Sequence, residues 1–583
     1  MEKIWQFKPE VSEDFIDRFP EMNPIISQLL FDRGLDTQEK IDEFLNCDFN
    51  DLHDPFLFND MEKAVKRIFT AIKKNEKIVI YGDYDADGVS STVIVYKTLK
   101  LLGFSPEVYI PYREKEGYGL NIPVCTELIN KKINLIITVD CGISSLDEIK
   151  LLKKNGIDVI VTDHHNEPLK LPPAYAIINP KLAKERYHFK FLAGAGVAYK
   201  LAQSIILRQE KFLKKNIVLP GQEKWFLDLV AIGTITDIVP MLGENRTLAK
   251  YGLLVLKKTR NLGIRKIFEK AGVNMNLADT FSVGFQLGPR INAAGRMAHA
   301  STAYNLLTTE TEQTAVEIAD DLEGKNQERQ KQTLKIIEQA RRTLGEVSNK
   351  KILIAVGQWP LSLVGLVAGK LCDEFHRPVL IITSSEDGYS GSGRSIEKFN
   401  ITSALQKCRE LLEKFGGHSQ ACGFSIKDKN NLDKFLLKIE KIAESEITDD
   451  DMVPTILIDK EVALEDINWD LYSELKKFEP FGNSNEKPKF MARRLKIVDL
   501  QTVGQDNRHL KIMLTHQTTV IRKTIGFCLG KWCDKLKTGD LIDLVFEVDK
   551  REWNGSQELQ LKIIDLRLSN KDVSSPFDSK KIS

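Results

Sequence analysis

Three carboxylates directly after a short apolar strand constrain this chain more than any other feature. The apolar run 78–80 predicts a buried strand that stops at Gly82, and a helical pattern begins near Val89. Between them stand acids at alternate positions, namely Asp83, Asp85 and Asp87. Open α/β sheets bind ligands where a strand opens into such a loop. Crowded acids repel one another unless a cation neutralises them, and hard oxygen ligands favour Mg²⁺ or Mn²⁺.

Two other interpretations compete for this stretch. An EF-hand loop also opens with Asp-x-Asp-x-Asp-Gly, but its twelfth position must be a bidentate Glu, and counting from Asp83 that position is Ile94. The segment before the loop is also a strand and not a helix. A set of exposed loop and helix-capping aspartates remains the plainer alternative.

The chain from about 60 to 180 alternates helical and strand patterns, which predicts a parallel sheet covered by helices on both faces. Two further strands end in polar residues: Asp140, and the run Asp163, His164 and His165. Since parallel strands end at one edge of a sheet, these groups should converge with the first three acids. Asp237, which follows the apolar run 227–236, is a seventh candidate ligand, although it could be a plain helix end.

Two later regions could contact phosphate groups. Residues 284–299 combine turn residues with three polar side chains, Arg290, Asn292 and Arg296. These suit phosphate contact, but a structural salt-bridge corner fits nearly as well. The stretches 392–395 and 416–418 could form backbone nests for a phosphate, against which ordinary turns are an equal alternative. Their polar side chains are Ser392, Arg394 and His418.

The remaining patterns outline further domains. A long helix over 311–344, whose middle has no apolar residue, leads to a second α/β unit. Several short strands after about residue 490 fit a small OB-type barrel, which often binds single strands but also serves as a spacer, with one hairpin turning at Asn554-Gly555. The first 50 residues or so predict short helices in a lobe packed on the next domain along the chain. Residues 191–198, with Gly194 and Gly196, predict close helix packing.

Composition mainly excludes classes of protein. A chain of 583 residues should hold about three to five domains. The net charge of +1 gives no general support for nucleic-acid binding, so any basic surface must be local. There is no N-terminal apolar run and no stretch of about 18 apolar residues, so neither a signal peptide nor a membrane span is expected. Eight cysteines without CxxC spacing indicate reduced thiols in a cytoplasmic protein.

In combination these motifs resemble the DHH phosphoesterase superfamily and, within it, the RecJ family. The resemblance rests on the acids and histidines in their order and on five further motifs: Gly117-Tyr-Gly-Leu120, Asn292-Ala-Ala-Gly-Arg296, Ser392-Gly-Arg-Ser395, Gly416-Gly-His418 and Glu479-Pro-Phe-Gly-Asn-Ser-Asn485. One segment departs from the family pattern. Where the family commonly has Trp-His followed by a Gly-Val-Ile-Gly type of run, this chain has Trp359-Pro-Leu-Ser-Leu-Val-Gly365.

The resemblance implies an α/β fold in which a parallel-sheet DHH domain is joined by a long helix to a DHHA1-type α/β domain and followed by an OB-type β-barrel. The implied boundaries are 1–55 for an N-terminal helical lobe, 56–300 for the DHH domain, 301–348 for the connecting helix, 349–447 for the DHHA1-type domain, 453–570 for the OB-fold and 571–583 for a disordered tail.

The resemblance also implies an activity: a metal-dependent exonuclease that degrades single-stranded DNA 5′→3′ to 5′-mononucleotides in DNA repair and recombination. Two divalent cations, Mn²⁺ or Mg²⁺, would lie about 3.5–4 Å apart. Asp140 would lie between them, with Asp83 and Asp85 on one ion and the remaining ligands Asp87, His164 and Asp237 on the other. His165 would contact the scissile phosphate. The substrate's other phosphates would be held by Arg290, Asn292, Arg296, Ser392, Arg394 and His418. A helicase and a single-strand-binding protein are the expected protein partners.

Three other functions remain open at this point. A DHH phosphodiesterase for cyclic dinucleotides or very short RNA would use the same metals, although it would not need the barrel or so long a chain. A non-catalytic single-strand-binding factor with the same fold is disfavoured by the complete set of ligands. A pyrophosphatase is the weakest alternative.

Overall fold

The computed structural model describes residues 3–385, 388–516, 520–553 and 555–569. It consists of two compact units. The described residues up to Asp48 and from Thr455 onward form one unit, and Phe49–Pro454 form the other. The N-terminal segment therefore belongs with the C-terminal segment and not, as predicted, with the domain next to it in the chain.

The N-terminal segment begins with a strand that the sequence pattern did not reveal, β1 (Ile4–Phe7). It pairs in parallel with Thr455–Ile458, and this pairing ties the two ends of the unit together. Three short helices come next: α1 (Glu13–Arg18), α2 (Pro24–Phe31) and α3 (Gln38–Asn46). Each begins after a residue whose side-chain oxygen accepts a backbone N–H group, namely Ser12, Asn23 and Thr37.

The larger unit begins with alternating helices and strands. They are α4 (Met61–Lys74), β2 (Ile78–Gly82), α5 (Ala86–Leu101), β3 (Glu107–Tyr109), α6 (Ile122–Asn130), β4 (Leu135–Val139), α7 (Leu146–Lys154), β5 (Asp158–Thr162) and β6 (Ala176–Ile178). The strands form one parallel sheet in the order β3-β2-β4-β5-β6. Every residue of β2 and β4 is buried, as the prediction of helices on both faces requires. The edge strand β6 was not predicted, because three residues are too few to show a periodicity.

Helix α5 begins at Ala86, three residues before the predicted start near Val89. The cause is Asp85, whose Oδ1 accepts the N–H groups of Asp87 and Gly88 at 2.9 and 3.0 Å and so caps the helix. Asp87 therefore lies in the first helical turn and not in a loop.

Six helices continue this unit and share an apolar core with α4 and α5. They are α8 (Gly194–Leu213), α9 (Leu227–Thr236), α10 (Gly243–Leu256), α11 (Leu262–Lys270), α12 (Gly288–Met297) and α13 (Ser301–Thr308). The prediction of turns over 284–299 is wrong for most of its length. A π-helical turn, Ser282–Leu287, runs directly into α12, and Pro289 is tolerated in the first turn of that helix.

The predicted long helix is present as α14 (Glu312–Leu344) and leads to a second sheet. The elements of this region are β7 (Leu353–Gly357), α15 (Leu361–Phe375), β8 (Val379–Ser385), β9 (Gly388–Arg394), α16 (Ile401–Lys407), β10 (Lys414–His418), β11 (Ala421–Ile426) and α17 (Lys429–Glu446). The strand order is β10-β11-β9-β8-β7. The predicted phosphate nests at 392–395 and 416–418 are wrong, because these segments pair with β11 as extended strands.

The C-terminal segment forms the predicted barrel. Its elements are β12 (Thr455–Ile458), β13 (Lys460–Glu461), α18 (Trp469–Lys476), β14 (Phe490–Val503), β15 (His509–Thr515), β16 (Ile521–Gly526), β17 (Leu541–Trp553) and β18 (Ser556–Leu568). The order β14-β15-β16-β18-β17 closes on itself because β17 also pairs with β14. Asn554, one of the two residues of the predicted hairpin turn, lies outside the described residues. The tail 570–583 also lies outside them. Among the described helices, none combines the length and apolarity needed to cross a membrane.

Candidate metal centre

The ends of three neighbouring strands bring the acidic and histidine residues together. Strand β2 lies beside β4, and β4 lies beside β5, with Gly82 opposite Val139 and Val139 opposite Thr162. The next residue after each strand is therefore at the same edge of the sheet: Asp83, Asp140 and Asp163. Asp237 reaches this edge from the C-terminal end of α9. All seven residues predicted as ligands or phosphate contacts at this edge lie in this region.

Ligand atoms from these residues fall into three groups within which all atoms lie within 4.8 Å of one another. The groups are Asp83, Asp85 and Asp140; Asp87, His164 and Asp237; and Asp140, His164 and His165. Asp140 belongs to two groups, and so does His164. Two neighbouring ion sites that share Asp140 are therefore compatible with the side-chain positions.

Several buried atoms of this cluster have no hydrogen-bond partner among the described residues. His164 Nε2 lies 3.1 Å from Asp140 Oδ1, yet neither atom forms a hydrogen bond within the described part of the chain. Asp83 Oδ1 is also buried and has no partner there. Leaving a buried polar atom unsatisfied costs about 1–3 kcal/mol, so three such atoms in one cluster need an explanation. Coordination of cations by their lone pairs supplies it, and the residues fit a pair of divalent ions.

The pKa values of the acids point the same way. Burial raises the pKa of Asp83, Asp140 and Asp237 well above the usual range, and neighbouring carboxylates raise it further. The same causes raise the pKa of Asp87 to about 7. Burial lowers the pKa of His164 to about 3, so its imidazole is neutral and free to act as a ligand. A bound cation would reverse the shifts of the acids.

Asp163 behaves differently from the acids around it. Burial opposes its ionisation, but the hydrogen bond and charge of His165 outweigh that effect and lower its pKa. Its carboxylate accepts the N–H groups of Ile143 and His164 at 2.9 and 2.7 Å, and its Oδ1 lies 2.8 Å from His165 Nδ1. Asp163 therefore positions the two histidines.

Two glycines that were not predicted as site residues lie against Asp87, one in α8 and one in α9. The N–H groups of Gly194 and Ala195, in the first turn of α8, donate to Asp87 Oδ2 and Oδ1 at 2.7 and 2.8 Å. In α9, a Cβ atom on Gly233 would lie only 2.3 Å from Asp87 Oδ1. Gly194 was interpreted only as a helix-packing residue. The small residues at a helix start were the signal that could have identified it.

The predicted substrate contacts divide into two kinds. Arg290 forms an ion pair with Glu323 at 2.6 Å and donates to Gln286 O, so it is the salt-bridge corner that the sequence left open. Asn292 Oδ1 accepts the N–H group of Ala86 at 2.8 Å and anchors the start of α5. These contacts are internal to the protein.

Two other arginines, Arg296 and Arg394, have no carboxylate partner among the described residues. Arg296 donates to Ser362 O at 2.8 Å, and Arg394 donates to Ser392 Oγ at 3.2 Å. Burial, and then the nearby charges of Arg113 and Arg329, lower the pKa of Arg296 to about 9. Cations crowded in this way favour an anionic ligand. Ser392 and Arg394 lie on β9, and the exposed His418 ends β10.

The loop after β3 contributes two residues that the sequence did not single out as site residues. The guanidinium carbon of Arg113 lies 4.7 Å from the centre of the Tyr84 ring. Tyr84 stands between Asp83 and Asp85 in the sequence. Tyr118 donates to Asp140 O at 3.0 Å, and its hydroxyl lies 2.9 Å from His165 Nδ1. Tyr118 belongs to the motif Gly117-Tyr-Gly-Leu120, which was noted only as a resemblance. In the divergent segment at Trp359, the backbone of Ser362 contacts both Arg296 and Glu114.

Comparison with known protein families agrees with this layout. Residues 77–234 match the DHH family N-terminal domain, residues 349–445 match the DHHA1 domain, and residues 458–565 match the RecJ OB domain.

Whole proteins also match along most of the chain. The single-stranded-DNA-specific exonuclease RecJ of Bacillus subtilis is 37% identical over 552 residues, which cover 94% of this chain and 68% of that protein. The RecJ exonuclease of Escherichia coli is 30% identical, with 96% of each chain covered. Among solved structures, RecJ from Thermus thermophilus in complex with Mn²⁺ matches with a TM-score of 0.80 and 25% identity, covering 97% of this chain and 80% of that one. The chain belongs to the RecJ family of DHH phosphoesterases.

Proposed function

We propose that the protein is a metal-dependent exonuclease that degrades single-stranded DNA 5′→3′ to 5′-mononucleotides, in DNA repair and recombination. The observation that carries this proposal is the cluster of six acidic and histidine ligands, in which buried atoms of Asp83, Asp140 and His164 have no hydrogen-bond partner among the described residues. The relatives from Bacillus subtilis and Escherichia coli are single-stranded-DNA-specific exonucleases by name, and they match nearly the whole chain. Membership of the same family supports the same substrate and reaction here.

Two divalent cations are the implied cofactors. Asp83 and Asp85 would hold one ion, the group Asp87, His164 and Asp237 would hold the other, and Asp140 would contribute to both. Carboxylates with a single imidazole suit Mn²⁺ and Mg²⁺, and RecJ from Thermus thermophilus has been solved with each of these ions. When bound, such a pair supplies charge stabilisation and an activated water for in-line displacement at phosphorus.

His165 is proposed to bind the scissile phosphate. Asp163 Oδ1 and Tyr118 OH both lie beside its Nδ1, at 2.8 and 2.9 Å, and fix the ring. Nε2 is then the nitrogen left for the substrate, and the imidazole remains about one third exposed. A hydrogen bond from a fixed ring nitrogen orients the phosphate before reaction and requires no rearrangement when charge develops.

The unpaired arginines are proposed to hold the substrate's remaining phosphates. The guanidinium groups of Arg296 and Arg394 donate to backbone carbonyl or hydroxyl oxygens. Neither has a carboxylate partner among the described residues. Arg113 lies beside them. Planar guanidinium groups bind phosphate oxygens in pairs, so this cluster suits a polyanionic strand. Ser392, which contacts Arg394, and His418 remain candidate contacts, whereas Arg290 and Asn292 act by holding structural elements in place.

The barrel is proposed to bind the single strand in its own right. Its match to the RecJ OB domain supports this role, and Phe527 is half-exposed beside His509 at the end of β16. Exposed aromatic rings on OB folds stack on bases with little sequence preference.

The protein is proposed to act in the cytoplasm. A helicase and a single-strand-binding protein are proposed as the partners that provide single-stranded DNA. Support comes from chemistry: all eight cysteines are free thiols, as expected in a reducing compartment. A nuclease specific for single strands also needs another protein to open duplex DNA.

The test is digestion of long single-stranded DNA labelled at the 5′ end in one sample and at the 3′ end in another. Each is incubated with Mn²⁺, with Mg²⁺ and with chelator, beside a duplex control. We expect early release of labelled mononucleotide from the 5′-labelled sample alone, and none with chelator. Survival of the long strands together with cleavage of cyclic or short dinucleotides would support the DHH phosphodiesterase alternative.

A further inference from the structure

Two phenylalanines stand exposed and stacked in the segment that leads into α12. Phe281 directly precedes the π-helical turn Ser282–Leu287, and Phe285 lies within it. Their ring centres lie 4.9 Å apart with an angle of 25° between the planes. Phe281 is 57% exposed and Phe285 is 72% exposed. Scattered apolar residues on a surface are ordinary, but two parallel rings held open to solvent form a surface that a flat ligand can cover.

The backbone of this turn packs against α9. A Cβ atom on Gly284 would lie 3.6 Å from Ile235 Cγ2, and one on Gly288 would lie only 2.4 Å from Thr236 Cγ2. The turn therefore packs on the last turn of the helix whose next residue is Asp237. Because the backbone that carries the rings is held by this contact, the turn has a fixed position relative to the C-terminal end of α9, which leads into Asp237.

The same segment continues into the substrate-binding region. Helix α12 follows the π-helical turn without a break and carries Asn292, which anchors Ala86, and Arg296, whose charge is unpaired among the described residues. The segment that carries the two rings therefore packs on α9, which leads into Asp237, and continues along the chain into α12, which carries Arg296. π-Helical turns are rare and occur often at functional sites, where the extra residue turns side chains to a new direction.

We propose that Phe281 and Phe285 form a stacking platform for the bases of the DNA strand next to the metal centre. The proposal rests on the proposed function. A base would add to the existing pair as a third ring, on the open face of Phe285. Stacking tolerates any base, which suits an enzyme that degrades strands regardless of sequence. The continuity of the rings with the acid and arginine clusters favours a nucleic-acid strand over a protein partner as the occupant.

The test compares Phe285→Ala and Phe285→Trp with the unaltered protein on a long single strand. A matched control is Leu277→Ala, which removes a side chain that is also 72% exposed and lies just before the ring pair in the chain. Phe285→Ala should raise KM by roughly 5- to 150-fold, which corresponds to the loss of one stacked base, with little change in kcat. Tryptophan should restore or lower KM, and Leu277→Ala should match the unaltered protein. Equal melting temperatures would show that all variants fold.

A second substrate separates stacking from a general apolar effect. In this strand, abasic residues replace the nucleotides near the 5′ end while every phosphate is kept. The difference in KM between the unaltered protein and Phe285→Ala should disappear on it. If Phe285→Ala leaves KM unchanged on normal strands, or if the difference persists on abasic strands, the platform is refuted. Absence of strand cleavage by the unaltered protein would instead refute the proposed function.

Discussion

A Cβ atom placed on Gly194 would lie 2.6 Å from Asp140 Oδ1. The first turn of α8 therefore touches the carboxylate that lies between the two groups of ligands, while its N–H groups hold Asp87. No side chain larger than hydrogen fits at this point without moving Asp140. The metal centre thus depends on a helix that contributes no ligand of its own.

The Gly194→Ala variant should bind metal about 10- to 100-fold more weakly, as is usual when groups that support metal ligands are disturbed. Its Cβ displaces Asp140, and with it the arrangement shared by both groups of ligands. Metal affinity can be measured by calorimetric titration with Mn²⁺.

Gly324→Ala in α14 is the matched control. Among the described residues, no atom outside the local helix backbone lies within 4 Å of a Cβ added there, so this variant should keep its metal affinity. It should also gain about 0.5–1 kcal/mol of stability, since alanine favours a helix over glycine. Equal metal affinity of Gly194→Ala and Gly324→Ala would contradict a role for close approach at Asp140.

Metal ions should stabilise the protein more at pH 8 than at pH 5. The pKa of Asp87 is raised from 3.8 to about 7, so between these values the folded state holds a proton that the unfolded state has lost. The contribution of Asp87 to metal-free stability therefore falls as pH rises through that window. A metal ion replaces the proton, so the rise in Tm caused by Mn²⁺ should be larger above pH 7. An equal or larger rise at pH 5 would contradict the protonated cluster.

Arg290 and Arg394 should respond differently to alanine. Arg290→Ala leaves Glu323 without its partner in a largely buried pair, so the free energy of unfolding should fall by about 1–3 kcal/mol. Arg394 has no carboxylate partner among the described residues, so Arg394→Ala should keep its stability and raise KM for single-stranded DNA by about tenfold. Chemical denaturation and steady-state kinetics measure the two effects. The opposite pattern would show that Arg290 is the phosphate contact.

Asn292→Ala should lower stability by about 1–2 kcal/mol, because the N–H group of Ala86 loses its acceptor. The start of α5, which carries Asp85 and Asp87, would also lose its anchor, so kcat should fall. Asn305→Ala on the exposed side of α13 serves as the control and should change neither quantity. Unchanged kcat in Asn292→Ala would limit this residue to a structural role.

Much of the fold could be predicted from local patterns. Strands β2 and β4 are fully buried apolar runs, and the polar residues that end β2, β4 and β5 had to meet because parallel strands share an edge. The long helix and the barrel also had clear periodicities.

The features that the sequence did not reveal depend on contacts between distant residues. The pairing of β1 with β12 and the short strand β6 show too few residues for a pattern. The partners of Arg290 and Asn292 could not be inferred, because Glu323 and Ala86 are far away in the chain. The glycines of the predicted nests were ambiguous, since glycine serves turns and crowded strands alike. In β9, a Cβ on Gly393 would lie 2.6 Å from Cys422 Sγ.

The most direct measurement is the number of Mn²⁺ ions bound per chain, counted by EPR titration of the metal-free protein and of Asp140→Asn. Asparagine is chosen because Asp140 has a positive φ of 60°, which asparagine also tolerates. We expect two ions in the unaltered protein, one or none in Asp140→Asn, and a loss of strand cleavage of at least about 100-fold. A single ion at saturation, or two ions and full cleavage in Asp140→Asn, would contradict a pair of metal ions that share Asp140.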